Sequence, residues 1–415
     1  MRRHYISLFV FFILSLHTTT ATTYYVATNG SDSASGLSWA QAFQTISNAV
    51  AYAGNGDTII VSNGVYYTLP IEINNNILIK STNGAEVTKI VLSIGAGTVI
   101  KATDPNTRIE GFTFANGNAY YNGGGVNLPN GGTVKSCIFT NNQALGDGYG
   151  GGAIYIGGPG LIEDCLITKN RGFHYGPVYI NHANALVNRC IISNNWSYVW
   201  GGGIYLNAGK VSDTLIFANY LTGNHPTYGG GGVFLNNGTI VNCTIVSNTV
   251  LDNTPGAGVL KNSGTITNTI IYYNRCGGTP NNLTSISGVS YSCAPELTSG
   301  TGNITNEPDF VDVSTANFRL LVTSPCIDKG TNSVASTTDL DGNNRIKDGD
   351  GTGGATVDMG AYEAETKNAG PLRCSFTASS KIGIVPPPLT VIFSSQIGGS
   401  DTNGVVYCWD FENDG

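Results

Sequence analysis

From about residue 110 the apolar positions come in strands of three to five residues, broken by Gly and Asn, and the pattern repeats on itself. Six segments share a frame: Cys137 to Asn142, Cys165 to Asn170, Cys190 to Asn195, Thr214 to Asn219, Cys243 to Asn248 and Thr269 to Asn274. Each opens with Cys or Thr, has an aliphatic residue or Phe two positions on, and ends in Asn at the fifth. Gly111 to Asn116 fits with a small first residue, and the steps from 111 are 26, 28, 25, 24, 29 and 26 residues. The other half of each unit is a Gly-rich strand: Gly-Gly-Gly-Val-Asn-Leu at 123–128, Gly-Gly-Ala-Ile-Tyr-Ile at 151–156, Gly-Gly-Gly-Ile-Tyr-Leu at 201–206.

A unit of about 26 residues with strands this short cannot bury its own core, but stacked units can, pairing strand to strand about 4.8 Å apart. No Leu frame of a leucine-rich repeat is present. The pattern predicts an all-β fold, a right-handed parallel β-helix of about 9–10 coils. Residues of equal rank then form vertical files. The Asn file (116, 142, 170, 195, 219, 248, 274) is expected to bond amide to amide and to supply left-handed corners. Cys137, Cys165, Cys190 and Cys243 are expected inside, reduced and inert, as small hydrophobes. Residues 57–101 carry shorter aliphatic strands, read as irregular first coils. Ala42, Phe43, Ile46, Ala49 and Val50 fall at helical spacing within 39–53, and predict a helix capping the N-terminal end. Ile138, Leu166, Ile191, Leu215 and Ile270 form an outward apolar stripe, which part of 276–365 or a partner protein should cover.

Composition agrees. The 415 residues include 56 Gly and 44 Asn, poor helix formers, and only 11% are charged. The net charge of −7, without a basic patch, gives no support for a nucleic-acid partner. Met1-Arg2-Arg3-His4 followed by a predominantly apolar run of twelve residues, 5–16, reads as an export signal over 1–22, too short to cross a bilayer. No other run in the mature chain is long enough to span a membrane, so a secreted or cell-surface (outer-membrane, bacterial-type) monomer is expected.

Tyr24 to Asp32, Gly36, Trp39, Ala42 to Ile46, Gly56 to Ile59 and Gly64-Val65-Tyr66 resemble the opening of bacterial pectin-lyase-like β-helix proteins, and the paired Gly-Gly-x-Ile and Phe/Ile-x-x-Asn segments resemble polymorphic outer membrane protein repeats. Ser324 to Gly330, Asp339 to Arg345 and Val357 to Glu363 resemble a choice-of-anchor Q domain. Cys374 to Val391 and Tyr407 to Gly415 are similar to the first half of a PKD domain, with a bridge Cys374–Cys408 among its options. The resemblances imply a signal at 1–22, β-helix at 23–304, closing module at 305–365, linker at 366–373 and, from 374 to 415, the start of an Ig-like sandwich.

Candidate chemistry gathers in the loops between the Asn file and the Gly-rich strands, which should emerge along one edge. Tyr149, Arg171, His174, Tyr175, Trp196, Tyr198, Trp200, His225 and Tyr228 are candidates for a sugar-stacking and hydrogen-bonding platform, beside Tyr120, Tyr121, Asp147 and Asp252; packing of the loops on one another is the alternative. Glu163, Asp164 and Asp213, near Lys135 and Arg189, are expected as surface ion pairs. Asp339, Asp341, Asn343, Asp348 and Asp350, with Asp358 near, could hold Ca²⁺ or form an Asx-turn loop tied down by Arg345. The active-site patterns of polygalacturonases and pectate lyases are absent, so resemblance carries over no catalytic residue. The sequence therefore points to an exported protein that binds a polysaccharide or cell-surface glycan, with a lyase or glycoside hydrolase on acidic polysaccharide, or a structural stalk, as alternatives.

Overall fold

The computed structural model describes residues 20–251, 254–351 and 353–364, with the backbone of Arg373–Ala378 and Phe393–Gly398. Most of the expected export signal, the linker, Asp252 and Cys408 lie outside the described residues.

The chain is a right-handed parallel β-helix of about nine turns. One coil illustrates the rest. Ile154–Ile156 and Gly160–Glu163 lie in one long sheet, Leu166–Thr168 in a second, and Arg171–Gly172 in a third. Each strand pairs in parallel with its counterparts one coil above and below, as Phe139 does with Phe114 and Ile167. Val134, Ile162, Val187, Val211, Ile240 and Ile266 fill one inward file, and Phe139, Ile167, Ile192, Ile216 and Ile245 another, all fully buried. Arg373–Ala378 and Phe393–Gly398 pair antiparallel, as expected for the opening of an Ig-like sandwich.

The expected Asn file forms, with two corrections. Asn142, Asn170, Asn195, Asn219, Asn248 and Asn274 are buried, and from Asn170 onward each amide oxygen accepts from the backbone N–H and side-chain Nδ2 of the Asn one coil earlier at 2.9–3.0 Å. Asn116 is not a member. Ala115 pairs with Thr140, so Asn116 ranks with Asn141, and Gly117 occupies the file, its N–H donating to Asn142. The first frame is therefore Phe112 to Gly117, one residue later than the sequence suggested. At the other end Asn282 closes the file and is itself held by Glu296. The left-handed corner is also one residue earlier than expected. Asn141, Lys169, Asn194, Ala218, Ser247 and Tyr273 have φ of 51–59°, whereas the file Asn follows the corner.

The Gly-rich strands exist because of this file. A Cβ on Gly203 would lie 3.0 Å from the Asn219 amide nitrogen, on Gly232 2.9 Å from that of Asn248, and on Gly258 2.7 Å from that of Asn274. The two sequence motifs are two sides of one contact. The Cys/Thr file has a shared role as well. Cys137, Cys165, Cys190 and Cys243 donate to the carbonyls of Lys135, Glu163, Asn188 and Val241, two residues back, as the hydroxyls of Thr214, Thr269 and Ser292 donate to Ser212, Thr267 and Ser290. These thiols are more than small hydrophobes. Burial pushes Cys243 up to about 12, which removes thiolate reactivity.

The N-terminal cap is shorter than the apolar spacing predicted: a 3₁₀ turn Trp39–Gln41, then an α-helix Ile46–Tyr52. Phe43 interrupts them because its backbone is drawn into the stack, donating to Tyr25 and accepting from Ala27. The Asp32 carboxylate then holds the N–H groups of Gln44 and Thr45, and Thr45 caps the helix.

Residues 305–364 lie across part of the apolar stripe. Phe310, Phe318, Ile327, Met359 and Tyr362 pack with Leu215, Val246 and Ile270, so that Leu215 and Ile270 are buried, while Ile138, Leu166 and Ile191 stay half-buried. Asn268 clamps this segment by donating to the Thr331 carbonyl and accepting its N–H. Asp213 is a further correction. It is not a surface ion pair but a fully buried partner of Arg345, which reaches across from the segment to Asp213 and Glu363 at 2.8 Å each. Glu163 and Asp164 do pair with Lys135 and Arg189 in the part-exposed positions expected.

Candidate functional site: the loop edge and the acidic turn

The loops that follow the third sheet leave the coils on one edge, because each begins after a two-residue strand in register with the next: Gln143 over Arg171, Arg171 over Trp196, Trp196 over Tyr220. Register stacks the side chains too. The Arg171 guanidinium lies over the Trp196 ring, 4.3 Å from its centre, and Trp196 stacks on Tyr220 at 6.0 Å and 12°. A second file stacks Phe173 on Tyr198 at 5.5 Å and 6°, with Tyr228 against Tyr198 and His225 against Tyr228. A third stacks Tyr175 on Trp200 at 5.8 Å and 18°. That pair rests on Tyr155, Tyr179, Tyr205 and Phe234, an outward file on the Gly-rich strands, and Trp200 Nε1 donates to the Thr227 carbonyl. Burial raises the phenols of Tyr179 and Tyr205, the latter to about 12, so both are neutral donors in the physiological range.

This stacking decides what each aromatic can offer. Trp196 lies between Arg171 and Tyr220, Tyr198 stacks on Phe173 and Trp200 on Tyr175, so at least one face of each ring is covered. More exposed rings lie elsewhere on this edge. Tyr120, Tyr121 and Tyr149 meet edge-to-face, at 5.3 Å and 85° and at 5.0 Å and 87°, with Tyr120 and Tyr121 each 63% exposed. Asp147, on the Tyr149 loop, is largely exposed and pairs with His174 Nδ1, whose ring stands edge-on to Tyr175 and Trp200. The loop edge thus runs from a tyrosine triad through an Asp–His pair to Trp200. Arg171 adds a buried Nε without a hydrogen-bond partner among the described residues. His225 accepts the Thr227 N–H at its Nδ1, 3.3 Å, and stands exposed.

The file Tyr155, Tyr179, Tyr205, Phe234 was legible as the residue after the apolar one in each Gly-rich strand. So was a second, outer amide file on the same face: Asn207 donates to Asn181, Asn236 to Asn207 and Asn262 to Asn236, at 2.7–3.1 Å. Neither stood out in the sequence, because both lie outside the Cys-to-Asn frame.

The acidic turn divides into two. Asp339 is buried, and its carboxylate accepts the N–H groups of Asp341, Asn343 and Glu363. Asp341 forms a two-pronged pair with Arg319 at 2.6 Å. The Asx-turn reading therefore describes 339–343, with Arg319 and not Arg345 tying it down. Asp348 and Asp350 gather instead with Asp328, which the sequence reading left out: the three offer oxygens within 4.8 Å of one another. Three carboxylates at that spacing could hold a hard cation such as Ca²⁺. Burial, and then the neighbouring Asp350, raise the Asp328 carboxyl.

No helix among the described residues is long and apolar enough to cross a membrane. The family model described as a right-handed β-helix region matches residues 75–250. No curated protein matches the chain. Among solved structures, a pectate lyase, Pel9A, superposes with a TM-score of 0.52 over 84% of this chain and 97% of its own, at 17% identity. A rhamnogalacturonan lyase gives a TM-score of 0.43 over 70% and 91% at 15% identity. A pectin methylesterase, PemA from Erwinia chrysanthemi, gives 0.36 over 65% and 95% at 13%. At such identities the likeness is one of fold: the chain shares the parallel β-helix of the pectate lyase and no demonstrated activity.

Proposed function

We propose that the protein is an exported or cell-surface β-helix that binds polysaccharide along its loop edge. The observation that carries this reading is the tyrosine triad. Tyr120 and Tyr121, largely exposed, and half-buried Tyr149 cluster beside the pair of exposed Asp147 and half-buried His174, a combination of aromatic surface and hydrogen-bonding groups that suits pyranose rings. Coils spaced about 4.8 Å apart would meet a glycan laid along the axis at intervals comparable to one sugar unit. The resemblance of 324–363 to choice-of-anchor Q modules and of 374–415 to a PKD domain supports a surface location. Affinity electrophoresis or calorimetry over neutral and acidic polysaccharides tests the reading. Tyr121→Ala and Tyr149→Ala should each weaken binding about tenfold, while Trp196→Ala, whose ring faces its neighbours, should change it less. Equal losses at all three would mean the triad is not the contact surface; no binding to any glycan would leave the stalk reading standing.

A second reading, a polysaccharide lyase, rests on the pectate lyase fold, on the half-buried Arg171 side chain of the loop edge as a cation for a uronate, and on the three carboxylates as a Ca²⁺ locus. Turnover of pectin or alginate to unsaturated products, followed by ultraviolet absorbance with and without Ca²⁺ and lost in Arg171→Ala, would replace the binding-only reading.

A further inference from the structure

Cys293 is unlike the four solenoid thiols. Its backbone continues the outward file of the second sheet, bridging Ile270 and Ile304 in parallel, with its N–H donating to Thr269. Its side chain therefore leaves the solenoid and enters the apolar layer beneath residues 305–364. Cys326 enters the same layer from the other side, on a turn fixed by Ser324 Oγ and by the Met359 N–H. Both are fully buried in one cluster with Ile270, Phe310, Phe318 and Met359; the Cys293 Sγ donates to the Asn306 carbonyl at 3.1 Å, and the neighbouring Cys293 thiol, then burial, raise Cys326 well above the ordinary thiol range.

We infer that Cys293 and Cys326 form a disulfide that staples the C-terminal segment to the last coils of the β-helix. The inner cysteines do not compete. Cys137, Cys165 and Cys190 stand in register on parallel strands, where side chains repeat at about 4.8 Å, beyond the usual Cβ–Cβ reach of a disulfide at about 3.5–4.5 Å. Cys293 and Cys326 belong to backbones that no ladder holds at that spacing. In the step, each thiol gives up its proton, one sulfur–sulfur bond forms, and two electrons pass to a small-molecule or protein disulfide, whose own bond breaks to give two thiols. An exported chain meets such oxidants. Because both sulfurs are sealed once the segment is seated, exchange belongs to the stage before seating, and the finished bond is shielded from reductant. The bond would hold down a segment whose departure exposes Leu215, Val246 and Ile270.

The test is peptide mapping of the full chain refolded with a glutathione disulfide/thiol pair, then denatured and alkylated without reduction. The expected result is one linked pair containing Cys293 and Cys326, about 2 Da lighter than the two free peptides together, with Cys137, Cys165, Cys190 and Cys243 alkylated. Wild type reduced in denaturant and refolded with its thiols kept reduced should be cleaved within 305–364 at least about tenfold faster than wild type refolded oxidised, with no such difference in the C293S/C326S variant. Alkylation of both cysteines in oxidised protein, or a link to a different cysteine, overturns the inference, as does equal cleavage of the wild type refolded reduced and refolded oxidised.

Discussion

An amide in the file does four jobs at once. Asn195 accepts the N–H and Nδ2 of Asn170 and donates its Nδ2 to Ile167 and Asn219. Asn195→Ala strands the Asn170 N–H away from water, so it should cost ~2–4 kcal/mol, read as a lowered urea midpoint with an unchanged slope. The thiols permit a finer comparison. If the Cys190 Sγ matters as a donor to Asn188, Cys190→Thr should stay within ~1 kcal/mol of wild type, and Cys190→Val should be less stable than Cys190→Thr by about 1 kcal/mol. Equal stabilities for the two variants would reduce the file to a steric requirement.

At the scale of elements, the Gly-rich strands and the amide file are one joint, and breaking either side should be felt on the other. Gly232→Ala would push a methyl to 2.9 Å from the Asn248 nitrogen and 2.7 Å from the Gly258 carbonyl, both fixed by the stack. We expect a loss of ~1–3 kcal/mol, measured by thermal unfolding. Gly148→Ala, where a Cβ meets nothing but the backbone has a φ of 76°, should cost less, since only local strain enters. The loops obey the same logic. Coil-to-coil register, and not a pocket, brings Arg171, Trp196 and Tyr220 together, and it is also what turns their ring faces away from a ligand.

At the scale of the whole molecule, the seating of residues 305–364 depends on a buried charge. Arg345→Met leaves Asp213 unpaired, with one oxygen already lacking a partner. This should release the segment at a cost of ~3–5 kcal/mol, so that limited proteolysis cuts within 305–364 while the coils persist. Seating should also depend on pH. Burial raises Asp358 to about 7 and Glu363 to about 9, so the seated state holds these protons more tightly than the open one. Their contribution is complete below the ordinary carboxylate range, near pH 4, and is lost as pH rises through 7 and on toward 9. Segment stability measured by proteolysis should therefore fall from pH 5 to pH 8, and Glu363→Gln should flatten the fall. A profile rising over that range would contradict this account.

The repeat itself was written in the chain, because a file needs the same residue type at each turn: a 26-residue rhythm of Cys or Thr and Asn can be read without coordinates. The half-turn details could not. Asn116 and Asn141 look like equal claimants to the file, and only strand pairing shows that Gly117 is the true counterpart of Asn142. Phe43 fits a helix by spacing but is taken by the strand above it. Partners far apart in sequence, Asp213 with Arg345, Cys293 with Cys326 and Asp328 with Asp348, carry no periodic signal, so the folded chain alone brings them together. Local periodicity determined the β-helix, its inner files and the edge from which the loops emerge. Tertiary packing decided which aromatic faces remain open and which charges are sealed, because both depend on what lies across the contact and not on the rhythm along the chain.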